Sequence, residues 1–285
     1  MRMNNCMENL DRLGWAAGLT FRSYGMRIGI RTNRPEILDR VADSFPPGWQ
    51  PASSPLLDRL YSLRVGEMEK STGARQYSLL YADSMRLIRT SNLDEAFAVL
   101  ESNLKLFVAE FARRRVFVHA GVVGWQGRAI IIPGHSFSGK TSLVAELVRA
   151  GATYYSDEYA VLDGRGRVHS YPAPLGVRQA GSREQKRLRA EELEGVSGTE
   201  PLPVGLIVLT RYKRGRRFMP RRLSAGRAML ELLANSVPVR RKPEAVLKTL
   251  EKASGAVAIK SLRGEARETA RLIIDYMQGM GTDKK

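Results

Sequence analysis

One cysteine, Cys6, stands in 285 residues, so the chain closes no internal disulfide and offers no pair of thiolates to a zinc ion. That excludes a disulfide-stapled secreted scaffold and fits a reducing compartment. Long apolar runs are missing as well. The longest, such as Ala129–Pro133 and Leu206–Leu209, fall far short of the roughly 20 residues that cross a bilayer. The first dozen residues carry Glu8, Asp11 and Arg12 and show no continuous apolar stretch after a basic start, unlike a signal peptide. A cytoplasmic location without a membrane partner is the expectation. Aromatics are scarce at 7%, and acidic residues are outnumbered 46 to 29, for a net charge of +17. Such an excess invites nucleic-acid binding through counterion release. Few rings are available to stack bases, however, and no helix-turn-helix, zinc-finger or RRM pattern occurs. The sequence therefore argues against a nucleic-acid partner, and the charge bears on solubility and anionic ligands.

What is present suits a folded chain of about two domains at roughly 150 residues each. Hydrophobic residues at 43% and charged residues at 26% can build a sizeable core. Residues 1–112 read as an α+β domain with no catalytic motif, residues 113–285 as an α/β domain that carries one. In the first, Phe21–Thr32 predicts a strand or hairpin, Pro35–Val41 a short helix and the proline-rich Phe45–Pro55 a loop. Leu60–Val65 and Tyr77–Ile88 predict further strands, with a connection at Lys70–Ala74. Leu93, Phe97, Leu100, Leu104, Phe107, Val108 and Phe111 recur at helical spacing behind the candidate caps Ser91 and Asn92.

From Val116 the order becomes strand, loop, helix, strand. Val116–Val123 alternates, Gly124–Gly127 makes a turn, and Arg128–Ile132 is the continuous apolar run of a strand buried on both faces. A helix follows over Lys140–Ala150, closed by Gly151. Thr153–Asp163 reads as strand throughout. Residues 181–200 predict either a surface helix or a loop. Gly205–Thr210 is a strand, and Ala225–Ala234, Pro243–Ala253 and Glu265–Met277 are amphipathic helices.

Between the apolar run and the helix stands Gly134-His135-Ser136-Phe137-Ser138-Gly139-Lys140-Thr141, which fits G-x-x-x-x-G-K-[ST] in full and continues with Ser142. In a chain of this composition a chance match is on the order of one in a hundred. Its placement at a strand-to-helix junction lets backbone N–H groups and a helix N-terminus cradle phosphates. Lys140 would neutralise the outer phosphates, and the Thr141 hydroxyl would ligate Mg²⁺. Some sixteen residues on, Asp157 and Glu158 are the natural carboxylates to hold a metal and take a proton, or else a solvated strand end. His119, among β-branched residues, is either a general acid or base or a satisfied core histidine.

Residues 116–163, with the strand His119-Ala120, the apolar strand, the glycine loop, the helix ending in Gly151 and the acidic pair in that order, resemble the nucleotide-binding core of the HPr kinase/phosphorylase-like family. A looser resemblance, including Pro172-Ala173-Pro174-Leu175-Gly176-Val177-Arg178, extends to about residue 275. It is strongest toward a divergent branch, associated with peptide-modifying gene clusters, that phosphorylates a serine in a peptide. The resemblance implies a C-terminal core related to phosphoenolpyruvate carboxykinase, with ATP and Mg²⁺ as cofactors. It implies nucleotide contacts from Gly134 through Ser142, metal ligation by Thr141 and Asp157, Glu158 as base on the attacking hydroxyl, and His119 at the family's strand histidine. Glu158 stands where the family usually has Asp, which displaces the carboxylate by about an ångström. The P-G-R-N-like segment of HPr kinases is absent, so the resemblance leaves HPr as substrate, phosphorylase activity and a hexamer open; residues 1–112 do not match the N-terminal domain of those enzymes.

The expected function is ATP-dependent phosphorylation of a serine in a peptide or protein. A non-catalytic nucleotide sensor and a free-serine kinase are the alternatives, and a homo-oligomer is left open. Arg211, Lys213, Arg214, Arg216, Arg217, Arg221 and Arg222 form either a solvated face or a surface for an acidic peptide or a γ-phosphate. Arg178 is a comparable candidate.

Overall fold

A computed structural model describes residues 10–66, 77–134, 138–178 and 185–282. The architecture is mixed α/β with several sheets, and the chain divides into two compact units, Met1–Arg113 and Arg114–Lys285.

In the first unit, β1 (Ala17–Ser23) and β2 (Met26–Thr32) form a hairpin. Its turn places Tyr24 and Gly25 both at positive φ, the geometry that matches strand twist. A short helix, α1 (Leu38–Ala42), leads to β3 (Gln50–Pro51), β4 (Arg59–Arg64), β5 (Ser78–Ala82) and β6 (Met85–Thr90). The six strands lie in the order β3-β1-β2-β4-β5-β6, with β2 and β4 parallel. The connection expected at Lys70–Ala74 lies outside the described residues. α2 (Leu93–Phe111) packs on β5 and β6, burying Phe97, Leu100, Leu104, Phe107 and Val108 of the predicted face together with Ala96, while the predicted Leu93 and Phe111 are half-buried. Asn92 caps it by accepting the Asp94 N–H at 2.9 Å.

The second unit is organised around β7 (Arg115–Trp125). β8 (Arg128–Pro133) pairs antiparallel along one edge of it; β9 (Thr153–Ser156) and β10 (Tyr159–Asp163) run in line along the other. Between β8 and β9 lies α3 (Lys140–Arg149). It ends at Gly151, at φ +96°, where the Gly151 N–H donates to the Val148 carbonyl at 2.9 Å.

After β10 come β11 (Arg167–His169), the ribbon β12 (Leu175–Arg178) and β13 (Gln185–Leu188), and the long β14 (Leu202–Tyr212). The described part of residues 181–200 is thus a strand and a tight turn at Ala190–Leu193 rather than a regular surface helix. β15 (Arg221–Leu223), α4 (Ala225–Ala234), α5 (Pro243–Ser254), β16 (Val257–Arg263) and α6 (Ala266–Thr282) complete the unit. The strand order is β11-β10-β7-β8-β14-β16-β15, and β11 pairs with β14 as well as β10, so five of the strands close into a ring.

Helices cover both faces of the central strands. Ile130, Ile132, Leu206 and Val208 pack with Leu143, Val144 and Leu147 of α3 and Ile273 of α6. Ala129, Ile131 and Ile207, one residue out of phase, pack with Ala228 and Leu232 of α4 and Val246 and Leu250 of α5. Burial on both sides is why these strands read as unbroken apolar runs. β16 was not legible that way: only Ala258 and Ile259 of its first five residues are buried, and Lys260 is exposed.

Candidate functional site

β8, β14 and β16 are mutually parallel, so their C-terminal ends lie at one edge of the sheet. In sheets of this kind ligands bind at that edge. Gly134 follows the end of β8, and its N–H donates to the His119 carbonyl at 3.2 Å, which ties the start of the glycine loop to β7. A Cβ on Gly134 would lie 2.8 Å from Ser138 Oγ. Gly139 is the N-cap of α3 at φ +83°, a left-handed conformation that glycine adopts without strain. Lys140 begins the helix, and its stem lies over Gly121 of β7, where a Cβ would come within 3.1 Å of Lys140 Cγ. Thr141 is half-buried in the first turn and Ser142 exposed. His135, Ser136 and Phe137, which the motif placed in the loop, lie outside the described residues.

The acidic pair occupies a break in the strand expected to run unbroken from Thr153 to Asp163. The Ser156 hydroxyl accepts the N–H groups of Glu158 at 3.1 Å and Tyr159 at 3.0 Å. A serine that captures two backbone donors pulls the chain out of its ladder, and pairing with β7 slips between Val122 and Val123. Asp157 and Glu158 thereby leave the alternation that would have sent their side chains to opposite faces.

Lys140, Thr141 and Asp157 come together. The Lys140 ammonium and, to a smaller extent, the nearby Thr141 hydroxyl favour the ionised Asp157 carboxylate. Burial nevertheless dominates and, with the neighbouring Glu158 charge adding to it, pushes Asp157 up to about 6. Asp157 Oδ1 is sealed from solvent and has no hydrogen-bond partner among the described residues. An orphaned carboxylate oxygen beside a hydroxyl and an ammonium suits a hard divalent cation. Among the described residues no three His, Cys, Asp or Glu side chains gather as a metal cage. Such a cation would therefore be held by Thr141 and Asp157 and draw its remaining oxygens from phosphate and water, the usual manner of Mg²⁺.

Glu158 is half-buried next to Asp157, and its charge is felt by Tyr154 and Tyr159. His119 pairs across the ladder with Tyr159, its ring 4.9 Å from the tyrosine ring, and its backbone N–H donates to the Asn235 carbonyl at 2.8 Å. Its backbone carbonyl links β7 to the glycine loop by accepting the Gly134 N–H. Arg211, Lys213, Arg214, Arg216 and Arg217 leave the end of β14 at this same edge, all exposed; Arg221 and Arg222, also exposed, lie on β15. Arg178 ends β12.

Sequence reasoning missed Arg263, the last residue of β16. It is 2% exposed, and Nη2 donates to the Gly139 carbonyl at 2.7 Å while Nη1 donates to the Gly264 carbonyl at 2.9 Å. Its guanidinium lies 5.5 Å from the Tyr212 ring. A Cβ on Gly139 would sit 2.5 Å from Nη2, so the glycine serves contact as well as conformation. The short apolar run Val257-Ala258-Ile259 was the one available signal for the strand that carries it.

No protein-family model matches the chain, and no curated protein matches it. Among solved structures, the Hpr(Ser) kinase/phosphatase from Coxiella burnetii is similar over 59% of this chain and 97% of that one, at 13% identity and a TM-score of 0.34. That likeness is weak and partial, and no residue role is taken from it. No helix among the described residues is long and apolar enough to cross a membrane.

Proposed function

We propose that the chain is an ATP-dependent, Mg²⁺-assisted phosphotransferase whose acceptor is a serine hydroxyl of a peptide or protein. The observation that carries the reading is the buried, unpartnered Oδ1 of Asp157 beside Lys140 and Thr141, the last two residues of a complete G-x-x-x-x-G-K-T sequence. The serine acceptor rests on the sequence resemblance.

In this reading the N–H groups at the start of α3 and the Lys140 ammonium bind the β- and γ-phosphates. Thr141 and Asp157 would hold the cation, which when bound would neutralise phosphate charge. Glu158 orients the acceptor hydroxyl and receives its proton on the carboxylate as the hydroxyl oxygen bonds to phosphorus and the bond to the ADP oxygen breaks. His119 supports the loop through its carbonyl.

The test is transfer from γ-labelled ATP to serine-containing peptides and to free serine, with Lys140→Ala and Glu158→Gln alongside. Transfer to peptides, lost in Lys140→Ala and reduced ~10²–10⁴-fold in Glu158→Gln, is expected. Transfer intact in both variants refutes the mechanism. Tight ATP binding without transfer supports a nucleotide sensor instead, and transfer confined to free serine a small-molecule kinase.

A further inference from the structure

Arg263 is a buried cation for which no side chain supplies a counter-charge in contact. Among the described residues no carboxylate lies within ion-pair distance of it, and Glu265, two residues on, is exposed and turned to the Tyr212 hydroxyl at 3.4 Å. Its Nε is sealed without a partner. Burial holds its pKa below the ordinary value, against the opposing pull of Glu265 and Tyr212. A buried charge left in that condition is costly, and an anion held nearby offsets part of that cost through space without touching it.

The geometry shows where that anion would be. Because the peptide bond between Gly139 and Lys140 is trans, its carbonyl and its N–H point in opposite directions. The carbonyl turns toward Arg263 at 2.7 Å, a shorter bond than the 3.4 Å one it accepts from the Leu143 N–H inside the helix. The Lys140 N–H is therefore aimed away from Arg263, as one of the first-turn donors that a helix leaves for an anion. Lys140 then presents its N–H and its ammonium from one residue, with the guanidinium behind the peptide.

We infer that Arg263 is the second cation of the phosphate site, a positioning residue that acts through the Gly139 carbonyl and through its charge and that fits the site to a pyrophosphate-bearing ligand. This deepens the proposed function and rests on it. A nucleoside without phosphates gains nothing from such a group; each added phosphate charge gains more.

Binding of inorganic pyrophosphate, Mg-ATP and adenosine to the full chain, measured by calorimetry for the parent, Arg263→Gln and Arg263→Lys, tests this. Arg263→Gln keeps a neutral donor for the Gly139 carbonyl and is expected to bind pyrophosphate and ATP about tenfold more weakly, with adenosine binding and the urea midpoint little changed. Arg263→Lys, which retains the charge but not the forked donor geometry, is expected to bind between the parent and Arg263→Gln. Parent-like pyrophosphate affinity in Arg263→Gln overturns the inference, as does an equal loss for adenosine, which would mark a merely structural role. If Arg263→Gln does not fold, Arg263→Lys decides alone: a tenfold or larger loss of pyrophosphate affinity overturns the role of charge. A parent that binds neither pyrophosphate nor ATP refutes the phosphotransferase reading itself, whereas a parent that binds both while Arg263→Gln is unchanged refutes only the part given to Arg263.

Discussion

Replacing Gly121 with alanine puts a methyl group into the contact between β7 and α3, on which the placement of Lys140 depends. The new Cβ would fall on Val144 Cγ2, closer than side chains tolerate, and 3.1 Å from Lys140 Cγ. Ordinary carbon contact is about 3.5–4.0 Å. Val144 is fully buried on a helix, where a β-branched side chain has one favoured rotamer, so it cannot swing aside. Relief must come from the helix lifting by about an ångström, which carries Lys140 and Thr141 with it. Overpacking of this kind costs about 1–3 kcal/mol, and a displacement of that size at a phosphate site should weaken ATP binding at least tenfold. Val144→Ala alone removes two buried carbons, about 1.6 kcal/mol in transfer terms plus a cavity. In the double variant the methyl added in place of the Gly121 hydrogen occupies the vacated space. Urea unfolding of the four chains should therefore show the double variant about 1–2 kcal/mol more stable than the sum of the single losses, with ATP affinity partly restored. Losses that add to within about 0.5 kcal/mol would refute the claim that Gly121 sets the height of the phosphate-binding helix.

Further outcomes follow from the two carboxylates with shifted pKa. Asp157, pushed up to about 6 by burial, binds a proton more tightly folded than unfolded. Its contribution to stability is full below about pH 4 and is lost as pH rises through about 6. Asp157→Asn should accordingly stabilise the ligand-free protein above pH 7 by about 1–3 kcal/mol and flatten the fall in thermal midpoint between about pH 4 and 7; an unchanged pH profile would contradict this. For Asp163 burial acts in the opposite direction but is outweighed. Hydrogen bonds from His169, from the N–H groups of Arg167 and Arg165 and from the Arg167 side chain hold it well below the usual carboxylate range. That stability is present above about pH 4 and is lost as pH falls further. Asp163→Ala should cost about 2–4 kcal/mol at pH 7 and remove this part of the acid dependence, and denaturant unfolding at neutral and at acid pH checks both.

How far the sequence revealed the molecule depended on how locally each feature was specified. α2 was readable because its apolar residues repeat on one face behind Asn92, and α3 because a glycine motif opens it and Gly151 closes it. The break at Asp157 and Glu158 was hidden because β-branched, aromatic and aliphatic residues flank the pair on both sides, from Thr153 to Tyr155 and from Tyr159 to Leu162. Only the Ser156 hydroxyl, acting over two and three residues, interrupts the ladder. Lys140, Thr141 and Asp157 belong to motifs and were visible as such, while their convergence on a sealed carboxylate oxygen required the fold. Arg263 was invisible for a different reason. Its partner is a backbone carbonyl, which any sequence supplies, and it stands in a chain where arginines crowd the surface.

The bond from Arg263 to the Gly139 carbonyl spans 124 residues. On a ribosome adding about 5–20 residues per second, the glycine motif is complete roughly 6–25 s before the arginine that holds its helix end has been made. In that interval β8 also lacks its parallel neighbour β14, and β14 lacks β16. A nascent chain would thus display the glycine motif before the sheet around it is complete, and the phosphate binding proposed for that motif would arise late, with the final strand. Translation itself then separates the time at which the motif is written from the time at which the fold around it is finished.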